Sequence, residues 1–378
     1  IMRLKKNAVA VAGAHGKTTT SSLIFHILEA SPYDCTAIIG GILVKKASNV
    51  SWGASDYLVA ETDEHDGSFL KLAPSVSVVT NIDEEHMEYY PNLDALKTAF
   101  LEFIHKIPFY GFSVLCLDDK NVKSILPKVS CNKILYGLTE DADIFASNIK
   151  ILDNSLSSPK VSFDVICSNK RLAPAGKIGN IKINTLGEHN VLNSLAAISV
   201  ALGLGVRVDD IQKGLENFSG VKRRFEVKTT NQDFNLIEDY AHHPNEINAV
   251  IKTVKNIKKN RLIVVFQPHL YSRTQYFMNE FAEVLSKSDI LIIMDIYPAR
   301  EKPIPGVTSD KIIDIVKQKG HKKACYIKDQ DSVFKYLSDT IQKDDLLLIL
   351  GAGDIYKLSE KMGEINHETT QSRDGQIR

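Results

Sequence analysis

Along most of this chain, short apolar runs alternate with stretches in which apolar residues recur every three or four positions. That alternation predicts strands and helices following one another in an α/β fold with a mostly parallel sheet. Residues 8–13 read as a buried strand, and Leu23, Ile24, Ile27 and Leu28 mark the helix after it. Further strands are expected at 37–40, 57–61, 76–81, 113–117 and 133–136. From 144 to 183 the pattern changes to alternation (Val161, Phe163, Val165) with Asn/Ser-rich turns, as in antiparallel strands. A helix is expected from near Gly187. The polar, glycine-containing stretch 218–225 separates a first domain, residues 1–220, from a second, 221–378. The second domain repeats the α/β alternation, with strands at 236–240, 261–266, 289–296 and 345–350. Past Gly363 the tail is polar and expected to fray.

Composition narrows the class. The 378 residues exceed one ordinary domain, and 44% hydrophobic with 24% charged residues are the proportions of a globular protein. Lys plus Arg equals Asp plus Glu at 46 each, so no net field gathers nucleic acid or an anionic membrane. No apolar run reaches the about 18 residues that span a bilayer, and the first six residues lack the apolar region of a secretory signal. The five cysteines (35, 116, 131, 167 and 325) never form C-x-x-C, and read as reduced thiols of a cytoplasmic protein.

The chemistry gathers at the expected strand ends. After the first strand come Gly13, Ala14, His15, Gly16, Lys17, Thr18 and Thr19, then a helix. A glycine-bounded turn between strand and helix, carrying Lys then Thr, is a phosphate-binding loop. Its amides and the helix N-terminus cradle phosphate oxygens, Lys17 reaches the β/γ-phosphates, and Thr18 is placed for Mg²⁺. The spacing departs from the usual pattern, because Val11 stands where the first glycine belongs. Glu61 ends another strand and is expected to hold Mg²⁺ directly or through water, whereas Glu64 and Asp66 read as capping or solvated acids. Asn81, Asp83 and His86 emerge at a third strand end, with His86 expected at a second metal or the γ-phosphate. His189, Asn190 and Asn193 share a helix's first turn, where polar side chains contact a base or cap the helix. At the junction, Arg223 and Arg224 form either a surface pair or a source of charge for a transferring phosphate. In the second domain, Asp239-Tyr240-Ala-His242-His243 and His269-Leu270-Tyr271-Ser272-Arg273 suggest binding of a carboxylate or phosphorylated substrate. No Cys and no H-E-x-x-H supports zinc there. Gly351-Ala-Gly353 lacks the third glycine of a dinucleotide fingerprint and reads as a tight turn.

Seven stretches occurring in order, 12–20, 60–69, 79–86, 108–111, 187–193, 239–244 and 266–273, resemble the Mur ligases over nearly the whole chain. The likeness is greatest to members that join L-alanine to UDP-N-acetylmuramate. The resemblance implies a central P-loop ATPase domain and a C-terminal Rossmann-like domain, with ATP and Mg²⁺ required. It also implies an acyl-phosphate route. The lactyl carboxylate attacks the γ-phosphate, and the L-alanine amine then displaces phosphate through a tetrahedral intermediate. On this pattern Lys17 and Thr18 hold phosphate and Mg²⁺, and Glu61 and His86 serve the second metal. His189, Asn190 and Asn193 lie near adenine, Arg224 near the γ-phosphate and Asp239 near the ribose. Tyr240, His242, His269 and Arg273 face L-alanine and the acyl phosphate.

Two departures stand out. Leu270 occupies a position where the family usually has arginine, and the N-terminal domain with which the family grips UDP is expected to be missing from residues 1–378. A muropeptide-recycling ligase, a folylpolyglutamate-type ligase and an ATP-binding module without ligase activity remain alternatives. The sequence leaves oligomeric state open.

Overall fold

Strand β1 (Asn7–Ala12) is buried from Ala8 onward because parallel strands flank it on both sides. A strand inside a parallel sheet covered by helices has no solvent face, so it becomes a continuous apolar run. The same holds for β13 (Leu262–Phe266) and β16 (Leu346–Leu350), every residue of which is buried. The structure is a computed structural model describing residues 2–44, 46–85, 87, 89–156, 158–173, 176–228, 234–257 and 260–364. The chain divides into two compact units, the first ending at Lys222 and the second beginning at Arg223.

The first unit runs β1, α1 (Lys17–Ala30), β2 (Thr36–Leu43), β3 (Ser48–Ser51), β4 (Tyr57–Glu61), β5 (Val76–Val79), α2 (Leu93–Ile104), β6 (Phe112–Cys116), α3 (Lys120–Ile125), β7 (Lys133–Gly137), β8 (Ile144–Asp153), β9 (Lys160–Cys167), β10 (Lys177–Ile183), α4 (Glu188–Gly203) and α5 (Val208–Glu216). Among the described residues its sheet has the order β10-β9-β8-β7-β6-β5-β1-β4-β2-β3. Neighbours from β8 to β2 are parallel, while β9, β10 and β3 are added antiparallel. The chain visits β4 on one side of β1 and then β5 on the other. This reversal opens a crevice at the carboxyl ends of β4, β1 and β5, where ligands bind in such sheets. Helix α1 packs against β1, β2, β4, α4 and α5, so Leu23, Ile24, Phe25, Ile27 and Leu28 are all at most 2% exposed. Each such side chain stabilises the unit by about 1.5–3 kcal/mol, which anchors the helix whose N-terminus forms the loop.

The expected strand at 37–40 continues to Leu43, through two glycines that looked like its end. The cause is close approach: a Cβ on Gly41 would lie 2.6 Å from Val221 and 2.7 Å from Thr18. Strands β3 and β11 (Glu226–Lys228) were not foreseen, because neither has an apolar run or a buried residue.

The second unit continues with β11, β12 (Asn235–Asp239), α6 (Pro244–Lys255), β13, α7 (Tyr271–Tyr276), α8 (Met278–Leu285), β14 (Ile290–Ile293), α9 (Ser309–Gln318), β15 (Ala324–Tyr326), α10 (Gln330–Thr340), β16 and α11 (Tyr356–Gly363). Its sheet has the order β11-β12-β16-β13-β14-β15, parallel except for β11. The last strand returns between β12 and β13, so the carboxyl ends of β12, β16, β13 and β14 again share one edge. Ile263, Val265, Ile292, Leu347 and Ile349 form its core with Val333, Leu337, Ile355 and Leu358 from the helices. Among the described residues no helix is long and apolar enough to cross a membrane. The tail at 365–378 lies outside the described residues.

Candidate active site

At the carboxyl edge of the first sheet, the chain leaves β1, turns through residues 13–16 and enters α1 at Lys17. Gly13 (φ +132°) and Gly16 (φ +81°) take left-handed backbone that other residues adopt only at a cost, and neither could carry a Cβ. At Gly13 it would fall 2.2 Å from Thr80 Oγ1, and at Gly16 2.5 Å from Asn193 Oδ1. Lys17 Nζ donates to the carbonyls of Gly13 (2.6 Å) and Ala14 (3.2 Å) and to both oxygens of Glu64 (3.1 and 3.2 Å). Burial alone would lower its pKa, but the carboxylates of Glu64, Glu85, Asp63 and Glu61 outweigh burial and raise it, so the ammonium stays charged. Thr18 Oγ1 donates to Glu61 Oε1 (2.8 Å), whose second oxygen accepts from Gly40 N (2.6 Å). Thr19 is half-buried in the same turn.

The end of β5 supports this loop. Ala14 N donates to Asn81 O (3.2 Å), His15 N to Asn81 Oδ1 (2.7 Å), and His15 O accepts from Thr80 Oγ1 (2.6 Å) and Asn81 Nδ2 (3.0 Å). The His15 ring meets Asp83 Oδ2 at 2.9 Å. From α4, Asn193 Oδ1 accepts from Thr20 Oγ1 (3.2 Å), and its Nδ2 donates to Asn190 Oδ1 (3.3 Å). Asn190 Nδ2 donates to Leu186 O and Thr185 Oγ1. Both asparagines are buried, whereas His189 is half-buried. His86 lies outside the described residues.

Sequence reasoning missed Glu64. It is 1% exposed and paired with Lys17, with Tyr90 Oη donating to its carbonyl at 2.7 Å. Asp66 remains an exposed cap, accepting from Ser68 N. The signal for Glu64 was physical rather than positional: a lysine buried in a loop needs a buried counter-charge.

At the carboxyl edge of the second sheet, Asp239 ends β12 and accepts from Phe225 N (2.6 Å) and Ala241 N (2.7 Å). Burial pushes its carboxyl up to about 6, against the pull of Arg224 and these two amides. Arg224 lies over the Tyr240 ring at 4.8 Å. Arg223 is no surface residue. It stacks on Tyr240 and Tyr356, pairs with buried Glu238 (3.0 Å) and donates to the carbonyls of Gly351 and Gly353. Those carbonyls are thereby engaged, and a Cβ on Gly353 would strike Gln267 and the Tyr297 ring, so Gly351-Ala-Gly353 is a packing turn.

His242 Nδ1 faces Tyr240 O (3.0 Å), and its ring lies edge-on to His269 at 5.8 Å. His243 instead caps α6 and packs against Phe277. The two histidines therefore do different work despite adjacency. His269 stacks on Tyr297 and accepts from Arg273 at 3.4 Å on Nδ1, which leaves its proton on Nε2. Burial, with Arg273 and Arg300, depresses its pKa to about 4 despite Glu301, so the imidazole is neutral at pH 7. Glu301 accepts from the Ser272 hydroxyl and from Ser272 N (3.0 Å), tying the β14 loop to α7. Leu270 is 6% exposed with φ +69°.

Two sheet edges with a phosphate-type loop on one and an imidazole–guanidinium pair on the other narrow the choice of family, and similarity to known proteins decides it. Residues 11–201 match the Mur ligase middle domain and residues 223–353 the Mur ligase glutamate ligase domain. The chain belongs to the Mur ligase family. This Mur ligase is 44% identical over 366 residues to a UDP-N-acetylmuramate–L-alanine ligase of Solibacter usitatus, covering 96% of this chain and 75% of that one. It is 45% identical over 358 residues to the ligase of the same name from Vesicomyosocius okutanii, covering 93% and 74%. The crystal structure of the UDP-N-acetylmuramate–alanine ligase MurC of Thermotoga maritima resembles it with a TM-score of 0.76 and 26% identity, covering 95% and 75%. Mur ligases are ATP-dependent, and so is this one.

Proposed function

We propose that this Mur ligase joins L-alanine to the lactyl carboxylate of UDP-N-acetylmuramate, converting ATP to ADP and phosphate, in peptidoglycan precursor synthesis. The observation that carries this reading is 44% identity across 96% of the chain, spanning both units, to a ligase of that name. We assign residues 1–220 as the central ATP-binding domain and 221–378 as the C-terminal ligase domain. Both ATP and a nucleotide-linked sugar place the reaction in the cytoplasm.

A carboxylate resists attack by an amine because its leaving group would be an oxide. Transfer of the γ-phosphoryl group to a lactyl oxygen makes phosphate the leaving group and releases ADP. The neutral L-alanine amine then adds to the acyl carbon, and the tetrahedral intermediate collapses to the amide and inorganic phosphate. Residues 13–19 would bind the phosphates, with Lys17 neutralising charge on the transferring group. The hydroxyl of Thr18 and the carboxylate of Glu61, 2.8 Å apart, are hard oxygen donors beside that loop and fit Mg²⁺. When bound, the ion would neutralise phosphate charge. In the second unit, Arg273 would take the L-alanine carboxylate. The neutral His269, with His242 beside it, would serve as polar contact for the amine and acyl phosphate.

Phosphate release from ATP by the full chain, with UDP-N-acetylmuramate and with or without L-alanine, tests the reading. Release should require L-alanine and match amide formed one for one, and Glu61→Ala should need on the order of 10–100-fold more Mg²⁺. Release indifferent to L-alanine, or faster with a preformed peptide, would overturn it.

A further inference from the structure

We infer that Asn81 is a positioning residue for ATP, acting as a side-chain clamp that sets the direction of the loop's peptide groups. The role rests on reading residues 13–18 as the phosphate loop. This loop lacks a glycine at Val11 and has only Gly13 and Gly16, so Ala14 and His15 between them must be held from outside. The holder is the end of β5. One planar carboxamide engages both polar groups of His15, accepting its N–H at 2.7 Å and donating to its carbonyl at 3.0 Å, as a neighbouring strand would. Thr80 Oγ1 adds a second donor to that carbonyl (2.6 Å), and Asn81 O accepts from Ala14 N (3.2 Å).

The consequence follows from peptide planarity. In a trans peptide the carbonyl and the next N–H point in opposite directions. Turning His15 O toward Asn81 and Thr80 therefore turns Gly16 N–H away from them, at the start of α1. The amides there have no intrahelical acceptor and attract phosphate oxygen. The same rule applied one peptide earlier has a visible result. His15 N–H faces Asn81, so Ala14 O faces the other way, and it is there that Lys17 Nζ reaches it at 3.2 Å. Asn81 thus orients the loop on both sides of His15 without itself being needed on the phosphate.

The test is ATP affinity by calorimetry, with steady-state KM for ATP and for L-alanine, in the full chain carrying Asn81→Ala or Asn81→Asp. The aspartate keeps the acceptor for His15 N–H but sets a second oxygen against His15 O, so it breaks one half of the clamp. Loss of two hydrogen bonds predicts roughly 10- to 100-fold weaker ATP binding for Asn81→Ala. Asn81→Asp should also weaken it, and KM for L-alanine should stay within about twofold. ATP affinity unchanged in a folded variant, or KM for both substrates rising together with a lowered melting temperature, would overturn the role. If Asn81→Ala does not fold, Asn81→Asp is judged by the same criteria. A Lys17→Ala, Glu64→Gln control separates the two levels. If that control still binds ATP at full affinity, the phosphate-loop reading fails. If it loses ATP while folded Asn81 variants do not, only the clamp fails.

Discussion

At the carboxyl edge of the first sheet, charges are matched and held. Lys17 meets Glu64, His15 meets Asp83, and Glu61 meets a hydroxyl and an amide. At the corresponding edge of the second sheet, burial shifts two titratable groups toward their neutral forms. His269 is driven toward neutrality and Asp239 toward protonation. Non-glycine residues there take left-handed backbone at Arg223, Phe225, Leu270 and Ala299, a conformation that costs about 1–2 kcal/mol each. Both edges sit at the reversal of a parallel sheet, so topology does not make the difference. The first edge is assigned the highly charged phosphate chain, which a fixed array of dipoles and cations suits. The second is assigned an amine that reacts only when neutral, which an imidazole without charge suits.

The largest effect should come from breaking the matched pair on the first edge. Lys17→Ala removes a cationic partner of a carboxylate that is 1% exposed, and breaking a buried ion pair from one side costs about 3–5 kcal/mol. Phosphate release should fall on the order of 10³-fold or more, since a cation on the transferring group is lost. Adding Glu64→Gln should restore most of the stability and none of the turnover. Urea unfolding beside phosphate release checks both, and a double variant that regains activity would remove Lys17 from the chemistry.

The second edge should show itself through pH. Asp239 titrates near 6 in the folded chain against an ordinary 3.8, so between those values the folded state holds the extra proton. Its contribution to stability therefore falls as pH rises through that window. His269 titrates near 4 against 6.5, so the unfolded state holds the extra proton, and its contribution rises over nearly the same range. Each slope amounts to about 3 kcal/mol in all, and they oppose each other. Asp239→Asn should unmask stability that climbs from pH 4 to 6.5, and His269→Asn stability that declines. Urea midpoints across that range decide, and two variants with the same slope would show that one of these groups is not shifted.

The contrast also explains what could be read from the residues. The shape of the first edge was legible because the loop is written in backbone geometry. Gly13 and Gly16 are needed where the loop turns, and Lys17, Thr18 and Glu61 follow from their positions at strand and helix ends. Strands such as β4 and β13 were legible because burial on both faces leaves an unbroken apolar run. Glu64 was not legible, since nothing in Asp63-Glu64-His65-Asp66 says which acid turns inward. Strands β3 and β11, polar and unburied, carry no periodic signal. On the second edge, adjacent His242 and His243 look like a pair, yet His242 faces the His269 ring and His243 caps a helix. Only the direction of the chain leaving β12 separates them.

The smallest effect sharpens the role of Leu270, which stands where an arginine was expected to face substrate. The structure buries this leucine, and its backbone makes the local contacts that matter. Its N–H donates to Tyr297 O at 2.9 Å, and its carbonyl accepts from Thr274 N and from Thr274 Oγ1 at 2.7 Å. Those bonds hold His269 and Arg273 on either side, and glycine could make them all. Leu270→Gly would lose about 2–5 kcal/mol through lost burial and the cavity left behind and regain about 1–2 kcal/mol by relieving a left-handed conformation. The net loss of about 1–3 kcal/mol should lower the melting temperature by roughly 2–12 °C, with KM for L-alanine unchanged. Leu270→Arg should destabilise more, because the guanidinium must leave a site that is 6% exposed. A melting temperature that holds in Leu270→Gly while KM for L-alanine rises severalfold would mean that the leucine side chain touches substrate, and Arg273 would then not be the sole grip on the carboxylate.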